Sequence, residues 1–486
     1  MSFLDNAAWQ GKIYSGEWVT GSAGEAKITE PATGATLGSV GIADTGDLDA
    51  ALSRATEAQR AWAALPHTER AAVLRRAGEL WERHADEIET WIVREAGSLR
   101  PKAQLETHIA AQECYQSAAL PAHPLGQVLP SEAPRMSFSK QVPVGVVGVI
   151  SPFNFPLVLA IRSVAPALAL GNAVVLKPDP RTAVSGGVTL ARVFEEAGLP
   201  AGVLSVLPGG ADVGAALVED PRVPVISFTG STGAGRTVGA SASRNLKKVH
   251  LELGGNSAIV VLDDADLDAT VSAGAAGSFL HQGQICMTTG RHLVHESVYE
   301  EYVAKLAAKA EALPVGDPMS GKVALGPIID QGQLDKIHGM VTASVEAGAR
   351  LAAGGTYEGL FYRPTVLADV PTTAPAYADE VFGPVAPVVP FATEDEAVAL
   401  ASESEYGLSL GIFTRDIGRG LELAEAIPTG IAHINDQTVG DEANIPFGGF
   451  GASGNGMRFG GATHNIEAFT ETRWITARRD VAGYPF

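Results

Sequence analysis

Val142-Pro143-Val144-Gly145-Val146-Val147-Gly148-Val149-Ile150 is apolar almost without interruption and rich in β-branched residues. A strand with one wet face would alternate, so such a run suits a strand covered on both sides. The chain beyond it repeats a pattern. Residues 157–170 read as a helix, 173–176 as a strand, 184–197 as a helix and 203–206 as a strand. Residues 211–218, 225–228, 233–242 and 249–253 continue the alternation. Alternation of this kind implies right-handed crossovers and a parallel sheet, with ligands bound beyond the carboxyl ends of the strands.

A second α/β series spans 258–434 and ends in the glycine-rich tract Pro446-Phe447-Gly448-Gly449-Phe450-Gly451-Ala452-Ser453-Gly454. Residues 466–476 read as a strand near the C-terminus. Upstream, 12–40 read as short strands and turns. Helical patterns then cover 47–65, 68–84, 85–96 and, opened by Pro101, residues up to 119. These helices carry many charges but no convergent polar set, so packing layers are expected there. Between 121 and 134 the texture turns to Pro, Gly, Ser and His, and 136–141 alternates, which predicts a hairpin projecting from the body.

At 486 residues the chain is too long for one core. With 35 basic and 55 acidic residues its net charge is −20, which repels nucleic acid and anionic membrane surfaces. Two cysteines far apart point to a reducing compartment rather than a disulfide framework. The first residues lack a basic, then apolar leader, and the apolar stretch 157–170 is interrupted by Arg162 and Pro166. A cytoplasmic protein with no membrane span and no metal site is expected.

Cys286, in Gly283-Gln284-Ile285-Cys286-Met287, follows a helix-like run over 267–280 and has small or uncharged neighbours. A thiolate there is a candidate nucleophile toward a carbonyl carbon, and a small buried hydrophobe is the alternative. Thr229-Gly230-Ser231-Thr232-Gly233-Ala234-Gly235 lies where a strand meets a helix. Backbone N–H groups there can approach a phosphate, although the spacing departs from G-x-G-x-x-G and a plain tight turn fits as well. Lys177 ends a strand and either enters the ligand crevice or snorkels to the surface. Glu252 ends another strand between leucines, as a desolvated base or an exposed carboxylate. Asn154, in Ser151-Pro152-Phe153-Asn154-Phe155-Pro156, can donate to an oxyanion, cap a helix, or do both.

These motifs, with Leu176-Lys177-Pro178, Leu251-Glu252-Leu253-Gly254-Gly255 and Glu380-Val381-Phe382-Gly383-Pro384, stand in the order seen in NAD(P)-dependent aldehyde dehydrogenases. The resemblance covers nearly the whole chain. It implies an α/β fold with a Rossmann-like parallel-sheet cofactor domain (1–120 and 142–252). A second α/β domain (253–445) would carry the nucleophile, and a small β bridging segment (121–141 and 465–486) would build a homodimer or homotetramer. By the same resemblance Cys286 attacks the aldehyde, while the Asn154 amide and the Cys286 N–H hold the oxyanion. Hydride transfer to the cofactor leaves a thioester, and Glu252 activates the water that hydrolyses it. Lys177 and Glu380 would hold the two riboses, Gly230 to Gly235 the pyrophosphate, and Phe382 would pack beside the nicotinamide ribose. Ile150 and Gly254 would complete the cleft.

The sequence resembles bacterial benzaldehyde dehydrogenases, with vanillin dehydrogenases nearby. The similarity rests on 281–287, 290–295, His433-Ile434-Asn435-Asp436-Gln437 and the ending Gly483-Tyr484-Pro485-Phe486. It implies an aromatic aldehyde in a pocket formed by Phe155, Val158, Leu159, Arg162, Ile285, Met287 and Phe447. A vanillin-type, aliphatic or semialdehyde substrate is the alternative. Two positions depart from the family. Pro180 stands where many NAD-preferring members have Glu, and Asp179 before it would repel a 2′-phosphate, so NAD is expected with NADP use open. Arg162 stands where many members have an aromatic residue, either to steer a polar ring substituent or as half of an ion pair.

Overall fold

The computed structural model describes residues 2–485; Met1 and Phe486, the outer bounds of the expected domains, lie outside them. The run at 146–150 forms the strand Val146–Ile150 in the middle of a seven-stranded sheet. Val147 and Val149 enter one apolar core and Val146 and Ile150 another, so both faces are covered. Its parallel neighbours are Val225–Thr229 and Ala173–Lys177, flanked by Lys248–Glu252 and Leu204–Val206. The chain builds outward on one side, then returns to build on the other. This makes a topological switch point beside Val146–Ile150, where the crevice at the strand ends opens. Lys12–Ser15 and Trp18–Thr20 add an antiparallel edge.

The helix Pro156–Ala169 follows the central strand and is buried throughout. The second sheet also has seven strands, and its centre, Val385–Phe391, Thr289–His295, Ser257–Val261 and Ser409–Phe413, is parallel. A third sheet joins Gly126–Val128, Met136–Pro143 and Thr470–Ala477 with antiparallel pairing. Its Val128, Met136 and Trp474 are exposed.

Three expectations change. The apolar run 142–150 is not one strand: residues 142–143 finish the strand Met136–Pro143. Gly145 (φ +116°) then turns the chain, and Asn172 Oδ1 accepts from the N–H groups of both Val144 and Gly145. Periodicity cannot see that break because the residues on both sides are equally apolar. Residues 466–469 are not strand but the end of the helix Gly461–Phe469. Thr470 Oγ1 donates back to Ile466 O, and the strand starts there. Finally, the helix Arg100–Ala119 is not a plain packing layer, since it buries Lys102, Glu106 and Glu113.

Candidate active site

Cys286 follows a tight turn, Leu280–Gly283, in which His281 (φ 49°), Gln282 (φ 57°) and Gly283 (φ 66°) are all left-handed. Two of these are not glycine, a strain that persists only where neighbours fix it. Gln282 supplies the fixing: its Nε2 donates to Gly97 O (2.9 Å) and Pro327 O (2.8 Å). Gly283 has no alternative residue, since a Cβ there would sit 2.1 Å from Gly383 O. Gln284 Oε1 accepts from Ile329 N, and Gln284 O accepts from Asn154 Nδ2 at 2.8 Å. The sulfur is thus placed by a rigid loop and tied to Asn154 on the first sheet's side.

Two cavities meet at this point, sharing only Asn154, Leu159 and Cys286 among their lining residues. The larger, about 330 Å³, is the crevice at the switch point. Ile150, Lys177, Gly230, Ser231, Gly254, Glu380 and Phe382 all line it. Residues 232–235 do not. They form the first turn of the helix Thr232–Arg244, where Gly235 packs on Leu253 and Thr232 Oγ1 donates to Ala452 O. Lys177 is depressed below the usual lysine range, chiefly by burial. Glu380 Oε1 accepts from Gly255 N at 3.0 Å, and burial raises its carboxyl.

Sequence reasoning missed Arg181 and Phe153, which also line the crevice. Arg181 clamps both oxygens of Asp179, reaches Asp330 Oδ2 at 2.7 Å and lies over the Phe153 ring. A dinucleotide fits this donor set: a lysine at a strand end, a small-residue turn leading into a helix N-terminus, and a carboxylate opposite.

The smaller cavity, about 180 Å³, is lined by all seven residues expected for the substrate pocket. It is too small for a dinucleotide and ends at Cys286. Lys102, Leu105 and Ile109 complete one wall and Asp441 another. None of these was expected; an i, i+4 Lys–Glu pair such as 102/106 reads in sequence as a surface ion pair. Arg162 is ion-paired with Asp441 Oδ2 at 2.5 Å, and Glu113 lies 4.0 Å away. Burial pushes the Glu113 carboxyl up to about 8 even with the guanidinium beside it. Arg162 Nε and Nη1 and Asp441 Oδ1 have no hydrogen-bond partner among the described residues.

The Cys286 thiol is partly exposed but pushed up to about 12, first by desolvation and then by Glu380 and Glu252. Glu252 lines neither cavity. It is buried behind the thiol with Oε1 3.2 Å from His250 Nε2, and its carboxyl is raised well above the ordinary range by burial. His250 stacks on Phe459, and burial lowers it to about 3, so the imidazole is neutral. A thiol, an amide donor, a retracted carboxyl and a crevice with the donor set for a dinucleotide are the parts that oxidation through a thioester requires.

The aldehyde dehydrogenase family model matches residues 18–475. The chain belongs to the aldehyde dehydrogenase family. It is 69% identical over 486 residues to a vanillin dehydrogenase of an Amycolatopsis strain, covering 100% of both chains. It is 50% identical over 479 residues to the benzaldehyde dehydrogenase [NAD(+)] of Pseudomonas putida, covering 98% of each. Among solved structures, an NADP-dependent enzyme of E. coli aligns with a TM-score of 0.93 at 35% identity, over 97% of this chain and 99% of that one. The α/β fold expected for this aldehyde dehydrogenase is the one observed. No helix among its described residues is long and apolar enough to cross a membrane.

Proposed function

We propose that this aldehyde dehydrogenase oxidises a single-ring aromatic aldehyde to the carboxylate. The observation that carries this reading is the small, largely apolar chamber ending at Cys286, with the Arg162–Asp441 pair in its wall. Both curated relatives above bear names of aromatic aldehyde dehydrogenases. A semialdehyde would bring a distal carboxylate. Here Asp441 already neutralises Arg162, and Glu106 neutralises Lys102, so neither cation of the wall is free to take a distal carboxylate. A ring hydroxyl suits the pair better, because Arg162 offers donors and Asp441 an acceptor. Between benzaldehyde and its vanillin-type relative, this favours a substrate with a polar ring substituent.

In the reaction Cys286 releases its thiol proton to solvent and adds as the thiolate to the aldehyde carbon, while the second N–H of the Asn154 amide hydrogen-bonds to the developing oxyanion. NAD(P)+, when bound in the crevice by Lys177, the Gly230–Ser231 turn and Glu380, supplies the hydride acceptor. Glu252 swings from its place beside His250 to deprotonate the water that cleaves the thioester. The first sheet, with residues 1–120 and 142–252, would hold the cofactor, and residues 253–445 would present the thiol. We assign NAD as the preferred cofactor, with NADP accepted. Asp179 disfavours a 2′-phosphate, but Arg181 neutralises much of its charge. The exposed apolar residues of the third sheet support assembly through 121–141 and 465–486 into a dimer or tetramer. Two free cysteines, one of them the nucleophile, suit a cytoplasmic setting.

Initial rates of NADH or NADPH formation test the proposal, using vanillin, benzaldehyde, hexanal and succinic semialdehyde with each cofactor, beside Cys286→Ala. Aromatic substrates leading with NAD, and no turnover in the variant, are expected. Succinic semialdehyde leading would overturn the substrate reading.

A further inference from the structure

We propose that the buried pair Lys102–Glu106 consists of positioning residues that set the Asn154 amide for oxyanion binding, without touching substrate. The inference rests on the reading of Asn154 given above. Both side chains come from the helix Arg100–Ala119 and are 2% and 0% exposed. Lys102 Nζ donates to Glu106 Oε1 at 2.5 Å and to the backbone oxygen of Asn154 at 2.6 Å. Glu106 Oε2 accepts from the N–H groups of Leu157 (3.1 Å) and Val158 (3.3 Å). These belong to the first turn of the helix Pro156–Ala169, whose N-cap residue, Phe155, makes no side-chain cap. A carboxylate from another helix therefore does the capping, where the helix dipole favours negative charge.

The five-residue stretch 154–158 is held at three backbone points by one residue pair. On its far side, Asn154 Nδ2 donates to Gln284 O, two residues before the nucleophile. The amide is thus fixed between a grip on its own main chain and the loop that carries Cys286. Stability alone does not call for this pair, since buried ion pairs replaced by well-packed neutral residues are often neutral or better. Lys102 lines the substrate chamber, which invites the alternative that it binds substrate. Its three protons are already engaged, by Glu106, by Asn154 O and by the face of Phe155, whose centroid is 4.2 Å from Nζ. No donor is left over.

The test is a double-mutant cycle on the acylation step, read as the stopped-flow NADH burst with benzaldehyde. Lys102→Met/Glu106→Gln removes both charges together, so no bare buried ion is left to unfold the protein. It is made in the native background and in Asn154→Ala. The pair variant is expected to slow the burst roughly 10–100-fold in the native background, the scale of a misplaced catalytic group. In Asn154→Ala it should change the burst little. NAD affinity, by fluorescence titration, should stay unchanged in both. Lys102→Gln/Glu106→Gln, a milder pair variant that also leaves no bare charge and keeps one donor for Asn154 O, should retain more of the burst rate than Lys102→Met/Glu106→Gln. Equal fold losses in the two backgrounds, or no loss in the native one, would overturn the proposal alone. An undiminished burst in Asn154→Ala itself would overturn the oxyanion reading and this inference with it.

Discussion

Replacing Arg162 by Met and Asp441 by Asn together should separate phenolic from unsubstituted ring substrates. The two must change together. Arg162→Met alone leaves the Asp441 carboxylate, 2.5 Å from the lost guanidinium, without its cation in the chamber wall. Breaking a buried pair that way costs about 3–5 kcal/mol and confuses folding with specificity. Glu113 needs no change. Its carboxyl already stands at about 8 beside the guanidinium and moves higher without it, so it is protonated at neutral pH. The double variant therefore removes both charges of this pair from a chamber of similar size and leaves Lys102 neutralised by Glu106. What it loses is a charged hydrogen-bonding pair for a ring hydroxyl, worth about 1.5–3 kcal/mol. At 1.4 kcal/mol per decade this is roughly 10–150-fold in kcat/KM for vanillin and for 4-hydroxybenzaldehyde. Benzaldehyde has no group to lose and should change little. The assay is NADH formation under kcat/KM conditions with the three aldehydes. If benzaldehyde falls as far as vanillin, the pair only supports the wall and the phenolic reading is wrong.

Four further outcomes follow from the structure. With Cys286 pushed up to about 12, alkylation by iodoacetamide in cofactor-free enzyme should rise about tenfold per pH unit between pH 7 and 10, because only the thiolate reacts; a plateau below pH 9, with Cys286→Ser as control, contradicts this. Glu252→Gln should keep a stoichiometric NADH burst but lose steady-state turnover on the order of 10²–10⁴-fold. In the native enzyme, deacylation should quicken as pH climbs beyond the ordinary carboxylate range, since burial raises Glu252 and only its ionised form is a base. Charges on the third sheet, Val128→Asp with Met136→Asp, should lower the mass seen by light scattering; an unchanged mass would place the subunit contact elsewhere.

Much of this was legible in the sequence because the central strands are apolar on both faces and punctuated by helices of ordinary length. Asn154, Lys177 and Glu252 could be singled out because Lys177 and Glu252 end strands and Asn154 lies four residues beyond one, and strand ends of a parallel sheet gather in one crevice. What escaped depends on contacts distant in sequence. The break at Gly145 is set by Asn172, 27 residues on. Lys102 and Glu106 read as a solvated pair until the helix carrying them is laid over Asn154. Asp441 gave no periodic signal, and its meaning comes from Arg162, 279 residues away. Residues 232–235 look like a phosphate loop in sequence, but the helix begins at Thr232, so they form its first turn, and only Gly230 and Ser231 of this stretch's expected phosphate residues line the crevice.

The two cavities that meet at Cys286 share three residues and otherwise separate walls. The thiol therefore stands in a doorway between two rooms. An acyl group held on the sulfur would fill the smaller room and leave the larger one as a separate space, so the architecture gives the two ligands of the reaction different walls to bind and lets each wall be altered without rebuilding the other.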